Sequence, residues 1–472
     1  MQRPGKPLRG QQDEAAKLEE LEYGEGEWFM TSLREANVTL IDCDHRTPPA
    51  AGTGYPYVAI PQLLAGRVIL DGVRRISKEH YLKWTRKAKP RADDVVLSRR
   101  CNPGETAVAP SNLEYALGQN LVLLRADGTR IYPAFLRWLV RGPEWWRQIS
   151  KFINAGAVFD SLKCGDIPNF ELRIPPLPEQ RAIAHVLGTL DDKIELNRRM
   201  SETLETMARA LFKSWFVDFD PVRAKCRGEP ACSPQFGQVP QSGQAHRPAP
   251  TKWPQHILDL FPDRLVDSEL GEIPEGWEVE GLDRIAQFLN GLALQKYPPT
   301  DNRSLPAIKI AQLRAGNTSG ADQASVDLDP NYIVEDGDIL FSWSGSLECE
   351  FWAGGRGALN QHLFKVTSAT YPHWLCYLGI HAHLDDFRHI AAGKATTMGH
   401  IQRHHLSNAK LAVPPKPLLR IMDNQLNPII DSLWRRKLES HTLAALRDTL
   451  LPKLISGELR VKDAEKFIER TI

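Results

Sequence analysis

Between Leu187 and Trp215 the apolar side chains recur every three or four positions: Leu187, Leu190, Ile194, then Leu204, Ala208, Leu211 and Trp215. That spacing is a heptad seam on one face of a helix. Pro175, Pro176 and Pro178 break whatever precedes it, and Pro178 suits a first helical turn, where its missing N–H costs nothing. Asn197 and Ser201 are polar members of the seam that could set register against a partner helix. Arg198, Arg199, Glu202, Glu205 and Arg209 lie off it and are expected to face water. The 29 residues from Leu187 to Trp215 would make a rod of roughly 43 Å at 1.5 Å per residue. One such helix is usually an ordinary core element. This chain has a second, after Pro417, with Leu426, Ile430, Leu433, Leu443, Leu446 and Leu450, expected to stop at Pro452–Gly457.

Each helix follows a globular stretch, and the two stretches can be laid over each other. Trp28 matches Trp277, Leu33 matches Leu282, and Leu117-x-Gln119-x-Leu121 matches Leu359-x-Gln361-x-Leu363. Further along, Tyr132-Pro133 matches Tyr371-Pro372, and Ala155-Gly156 matches Ala392-Gly393. Ile174-Pro175-Pro176 matches Val413-Pro414-Pro415, and Arg198-Arg199 matches Arg435-Arg436. The offset drifts only from 249 to 237, as differences in loop length would produce. Two copies of one unit joined by two similar helices pair most simply about a pseudo-two-fold axis, with the helices antiparallel. The expected fold is α+β: two similar α/β units separated by two long antiparallel helices that form a coiled-coil spacer. Duplex DNA is nearly two-fold symmetric too, so such a shape suits two half-sites at a fixed separation.

Within the first stretch, β-rich runs appear at Tyr57–Ile60, Val68–Leu70, Val95–Leu97 and Leu121–Leu124, the last ending in an Asp127-Gly128 turn. Tyr132 to Ile153 reads as helical with a break at Gly142-Pro143. Residues 1–24 are polar and charged, a tail, and 226–254 are rich in Pro, Gln, Gly and Ser without periodicity, a linker. At 472 residues, 42% hydrophobic and 25% charged, the composition is that of a globular protein with two to four domains. Seven cysteines without a CxxC pair argue against a disulfide framework or a zinc ribbon. Asp42-Cys43-Asp44-His45 and His400…His404-His405 also lack a partner pair at ligand spacing, so no metal site is expected. Without a signal-peptide core or a long apolar run, the expected setting is cytoplasmic, with no membrane contact.

A net charge of +1 says nothing about partners, but its distribution does. From Arg74 to Arg100 there are ten Lys/Arg against three Asp/Glu, with Tyr81 and Trp84 interleaved. Such a stripe can neutralise phosphates and release counterions. The DNA-binding candidates in the first half are Arg46, Arg74, Arg75, Lys78, Arg99 and Arg100. In the second half they are Arg356, within Gly354-Gly355-Arg356-Gly357, and Lys394, His400, Arg403 and His404. Signs of catalysis are lacking. The Pro-Pro pairs after Ile174 and Val413 lack the Asn-Pro-Pro-aromatic context of an amino-methyltransferase, Gly393-Lys394 lacks the upstream glycine of a P-loop, and no Gly-x-Ser-x-Gly elbow occurs. Asp191-Asp192-Lys193 lacks the preceding Pro-Asp of a nuclease site and reads as surface charge.

The stretch PLPEQRAIAHVLGTLDDKIELNRRMSETLETMARALFKSWFVDFDPVRAK, from Pro176, closely resembles the central conserved region of the specificity (S) subunit of type I restriction–modification enzymes. FPDRLVDSELGEIPEGWEV looks like the start of that family's second target-recognition domain, and LLPKLISGEL resembles its C-terminal conserved region. VTLIDCDHRTPP and YPYVAIPQL in the first half look like one type of recognition domain. The resemblance implies target-recognition domains at 25–175 and 263–412. It places a central helical spacer at 176–225 and a C-terminal spacer at 413–472, while the Pro/Gln-rich linker, 226–262, rests on composition and has no counterpart in the family pattern. It implies one half of a bipartite double-stranded DNA target per recognition domain, and two modification (methyltransferase) subunits docked on the helices. Restriction (translocase–nuclease) subunits would join that core. The chain itself would be non-catalytic and without cofactor, with S-adenosylmethionine, ATP and Mg²⁺ on partner subunits. The competing reading is a stand-alone sequence-specific DNA-binding regulator with a coiled-coil rod.

Overall fold

The computed structural model describes residues 27–111, 113–154, 160–226, 255–300, 303–393 and 399–471. The tail and most of the linker, with Ala155-Gly156 and Lys394, lie outside the described residues. The chain divides into two compact units, Met1–Asp192 with Leu443–Ile472, and Lys193–Thr442. The borders fall inside the long helices because each helix packs one of its halves within each unit.

In the first unit the strands are β1 (Phe29–Ser32), β2 (Val38–Asp42), β3 (Tyr55–Val58), β4 (Leu63–Leu64), β5 (Gly66–Val68) and β6 (Arg75–Ile76). They continue with β7 (Val95–Ser98), β8 (Thr106–Val108), β9 (Ala116–Leu117), β10 (Leu121–Ala126) and β11 (Glu171–Ile174). A six-stranded sheet runs in the order β2-β10-β7-β8-β5-β4, beside a three-stranded sheet β6-β3-β9 and the pair β1-β11. Leu121–Leu124 and Val95–Ser98 are buried throughout, which explains why these runs lack polar alternation. The predicted helix from Tyr132 to Ile153 is two helices, Pro133–Leu139 and Pro143–Phe152, parted at Gly142.

The second unit has β12 (Leu265–Ser268), β13 (Gly271–Pro274), β14 (Glu278–Gly281), β15 (Gln287–Asn290), β16 (Leu305–Ile308) and β17 (Gln323–Ala324). After these come β18 (Ile333–Val334), β19 (Ile339–Ser342), β20 (Cys349–Phe351), β21 (Gly357–Leu359), β22 (Leu363–Thr367) and β23 (Lys410–Val413). Its sheet β15-β22-β19-β20 repeats the order β2-β10-β7-β8. The register repeats as well. Phe29 lies opposite Ile174 and Glu278 opposite Val413. Tyr57 and Val58 run parallel to Ala116 and Leu117, as Ala307 and Ile308 do to Ala358 and Leu359. Even a small turn recurs: Gln62 Oε1 accepts from Ala59 N at 3.1 Å, and Gln312 Oε1 from Lys309 N at 3.4 Å. The internal duplication is therefore one of backbone topology, not of scattered identities.

The first long helix spans Leu177–Phe216, 40 residues, and so begins ten residues before the recognisable seam, with Pro178 in its first turn. The second spans Lys416–Ser456, 41 residues. It includes Pro452 and ends at Ser456, inside the Pro452–Gly457 stretch where the sequence places its stop. The proline loses one hydrogen bond, but Leu454 and Ile455 beyond it are buried at 0% and 3% exposure, which holds the last turn in place. Gly457, at φ +76°, then ends the helix in the left-handed conformation that glycine adopts freely.

Candidate nucleic-acid interface and the helix pair

The basic stripe of the first unit runs from β6 through the short helix Lys78–Trp84 to the end of β7. Arg74, Arg75, Lys78 and Arg100 are exposed and Arg99 is half-buried. Arg74, Lys78 and Arg100 have no carboxylate partner among the described residues, so their charges are available to phosphate. Arg75 Nη1 donates to the Gly54 carbonyl at 2.8 Å, and Arg99 Nη1 to the Leu162 carbonyl at 3.2 Å. Arg46 forks onto Asp44, with Nε and Nη2 at 3.0 and 2.8 Å, and its guanidinium lies 5.5 Å from the Trp84 ring.

The interleaved aromatics are not a stacking surface. Tyr81 and Trp84 are 3% and 6% exposed and form a small core with Tyr57, Ile76 and Ala116. On a seven-residue helix, positions 81 and 84 fall on the inner face while the lysines fall on the outer one. Trp84 Nε1 donates to the Arg46 carbonyl at 2.7 Å, and the Tyr57 hydroxyl donates to the same oxygen at 3.3 Å. The aromatics thus hold the cationic segment from beneath.

In the second unit Arg356 pairs with Glu335 at 3.2 Å. Arg403 donates to the Phe288 carbonyl at 3.3 Å, with its guanidinium 5.8 Å from the Phe364 ring. His400 forms a backbone bridge with Ser344 and lies edge-on to Trp343 at 6.3 Å. The His404 and His405 rings lie 4.0 Å apart, tilted by 47°. Sequence reasoning missed Trp343, His362 and Asn290, which join His400 from three other parts of the chain. Trp343 Nε1 donates to Asn290 Oδ1 at 2.9 Å, and its ring lies 5.6 Å from His362.

Asp42, Cys43 and His45 bring one ligand atom each within 4.8 Å of one another. Burial, and after it the Asp42 charge, pushes the Cys43 thiol up to about 11, so the sulfur stays protonated and donates to the Gly118 carbonyl at 3.2 Å. His45 Nε2 bonds Asp42 at 3.0 Å. The three form a hydrogen-bonded cluster.

The seam residues are interior. Leu187, Leu190, Leu443, Leu446 and Leu450 are buried in the first unit, and Asn197, Leu426, Ile430 and Leu433 in the second. Ile194, Leu204 and Leu211 are half-buried. The two polar seam members are buried too, Asn197 at 0% and Ser201 at 7% exposure. Asn197 Nδ2 donates to Glu439 at 2.8 Å and its Oδ1 accepts from Arg436 at 3.3 Å, while Lys193 pairs with Glu439 at 3.3 Å. The Asn197 bonds need Arg436 and Glu439 opposite them, which is how a single buried Asn specifies a pairing.

Asp191 corrects a reading made from sequence. It is not surface charge: only 6% of it is exposed. Its carboxylate accepts from Arg447 Nη1 at 2.6 Å and from Arg137 Nη2 at 3.0 Å, and Arg67 Nη2 donates to its carbonyl at 2.7 Å. Burial, outweighing the attraction of Asp191, lowers the pKa of Arg137. At the start of the same helix, Gln180 ties the helix to the strands. Its Oε1 accepts from Tyr132 N at 2.8 Å, and its Nε2 donates to the Arg130 and Pro175 carbonyls at 2.9 and 2.8 Å. Glu179 accepts from Trp28 Nε1 at 3.0 Å and Arg460 at 2.9 Å. The Pro178-Glu179-Gln180 motif is thus a buried polar clasp.

Residues 44–206 and 274–433 match the type I restriction modification DNA specificity domain, once per repeat. The chain belongs to that family. Within it, the MjaIX specificity subunit of Methanocaldococcus jannaschii is 24% identical over 411 residues, 84% of each chain. The HindI specificity subunit of Haemophilus influenzae is 25% identical over 420 residues, 79% of this chain and 88% of its own. Among solved structures, the type I S subunit from M. genitalium covers 91% of this chain and 96% of its own, at 14% identity and a TM-score of 0.47. The function is that of a type I specificity subunit, and the stand-alone regulator gives way to it. Among the described residues, no helix is long and apolar enough to cross a membrane.

Proposed function

We propose that each repeat of this specificity subunit reads one half of a bipartite double-stranded DNA target and that the helix pair sets the gap between the halves. The observation that carries this reading is the repeated strand order and register, joined by two helices of 40 and 41 residues. Two similar readers on helices with a unique register suit two half-sites at a fixed separation. Exposed seam-flanking side chains such as Arg198, Arg199 and Glu202 leave the outer helix faces open to two modification subunits, which restriction subunits would join. The chain is non-catalytic in this scheme. S-adenosylmethionine, ATP and Mg²⁺ act on the partner chains, in the cytoplasm. The test is reconstitution. The chain alone and the modification subunit alone should each leave DNA unmethylated, and together they should methylate a bipartite motif. Methylation by the chain alone would overturn the non-catalytic assignment.

A further inference from the structure

The duplication allows one repeat to be compared with the other, position by position, at the end of the main sheet. In the first unit Arg99 N donates to the Asn120 carbonyl at 2.9 Å, Leu162 N donates to the Arg99 carbonyl at 2.9 Å, and Arg100 bridges Ser161. In the second, Trp343 N donates to the His362 carbonyl at 3.3 Å, Ile401 N donates to the Trp343 carbonyl at 2.9 Å, and Ser344 bridges His400. The backbone frame is the same. The interior neighbours keep their chemistry: Ser98 and Ser342 are fully buried, as are Leu121 and Leu363, and Leu162 faces the core where Ile401 does.

The rim side chains do not. Arg99, Arg100, Asn120 and Ser161 stand where Trp343, Ser344, His362 and His400 stand in the second unit. The last residues of β2 and β15, paired with Val122 and Phe364, are Asp42 and Asn290. A frame held constant while its rim varies is what two readers of different half-sites require. The first rim is rich in hydrogen-bonding groups. Arg100 is exposed, Gln119 beside it is exposed, and Asn120 is held in the left-handed conformation at φ +66°. The second is an aromatic and imidazole surface, with Trp343, His362 and His400 together and Ser344 Oγ 2.9 Å from His362 Nδ1.

The first rim is also continuous with the cationic surface. Gln119 N donates to the Tyr57 hydroxyl at 3.3 Å, the same hydroxyl that holds the Arg46 carbonyl. Arg99 and Arg100 end the basic stripe.

Resting on the reading above that each repeat reads one half-site, we infer that these rims carry the sequence choice. Arg100 and Asn120 read base edges in one half, with Arg100 on guanine and Asn120 on adenine, the pairings their geometry favours. Trp343, His362 and His400 shape the reader of the other half. The remaining cations of the stripe hold phosphate and carry no sequence information.

The test is the methylated motif, read base by base, in a host expressing the modification subunit with each variant. Arg100→Ala should relax one position of one half-site, with discrimination there falling about tenfold or more and the other half unchanged. His400→Ala should relax only the other half. Lys78→Ala, off the rim, should leave the motif intact. Competition binding to matched and mismatched duplexes decides the case in which Arg100→Ala abolishes methylation. An equal loss on both duplexes would make Arg100 a phosphate contact and overturn the inference. An unchanged motif in Arg100→Ala, Asn120→Ala and His400→Ala would overturn it too, with the specificity-subunit reading intact. A wild-type complex that methylates no bipartite motif would instead overturn the reading on which the inference rests.

Discussion

Replacing Asp191 by alanine removes the carboxylate that Arg447 and Arg137 share. The side chains of Asp191 and Arg447 are 8% and 9% exposed, so neither has water to fall back on. Removing one member of a buried pair typically costs about 3–5 kcal/mol, because the remaining charge is left uncompensated. Arg447 would keep Asp448 at 2.8 Å, a mostly exposed carboxylate, which places the expected loss near the lower end, about 3 kcal/mol. Arg137 and Arg67, which flank the same carboxylate, would lose their common counter-charge. Urea denaturation of the full chain, followed by tryptophan fluorescence, measures the loss. Trp138 and Trp145 report the first unit because both are fully buried there. Combining Asp191→Ala with Arg447→Met should cost less than the sum of the single changes, by about 1–3 kcal/mol. A loss under about 1 kcal/mol, the scale of an exposed ion pair, or strict additivity would refute the buried-network reasoning.

Arg74→Ala and Lys78→Ala should each flatten the dependence of log K on log salt by about 0.9 for duplex DNA, and an unchanged slope for both would make the stripe a solvated surface. His381 is held down to about 3, by burial first and then by the Arg209 guanidinium 2.7 Å from its Nδ1, against the opposing pull of the Cys349 carbonyl 2.9 Å from its Nε2. A histidine kept neutral when folded contributes stability that is present above its unfolded pKa of about 6.5 and is lost as pH falls toward 3. His381→Gln should therefore flatten the decline in stability between pH 6.5 and 4 relative to wild type, and parallel curves would argue against it. Four residues inserted between Met200 and Leu204 turn the seam by only about 40° and add roughly 6 Å. The gap should then lengthen by about one or two base pairs with both half-sites intact. A two-residue insertion turns the seam by about 200° and should abolish assembly.

The helices were legible because heptad spacing, prolines and charged outer faces survive in a one-dimensional reading, and the duplication because Trp28/Trp277 and Ile174/Val413 hold the same strand ends in both units. Asp191 was not legible. Its partners Arg137 and Arg447 lie 54 and 256 residues away, and nothing in Asp-Asp-Lys distinguishes a buried acid from a solvated one. The interior place of Tyr81 and Trp84 was not legible either, because a seven-residue helix is too short for its inner face to declare itself among lysines. The rim positions come from separate strand ends and turns: the match of Leu117–Leu121 with Leu359–Leu363 already pairs Asn120 with His362, but backbone hydrogen bonds are needed to identify Arg99 with Trp343 and Ser161 with His400. The end of the second helix was legible, since it stops at Ser456 within Pro452–Gly457, and burial of Leu454 and Ile455 holds the turn after the proline in place.

The claim at the centre of this account is that one chain holds two independent readers. Residues 25–175 can be exchanged for the equivalent region of a family member with a different target, and the methylated motif determined genome-wide in a host that supplies the modification subunit. One half of the motif should change to that of the donor, while the other half and the gap stay as they were. A motif in which both halves change together, or neither does, would contradict it.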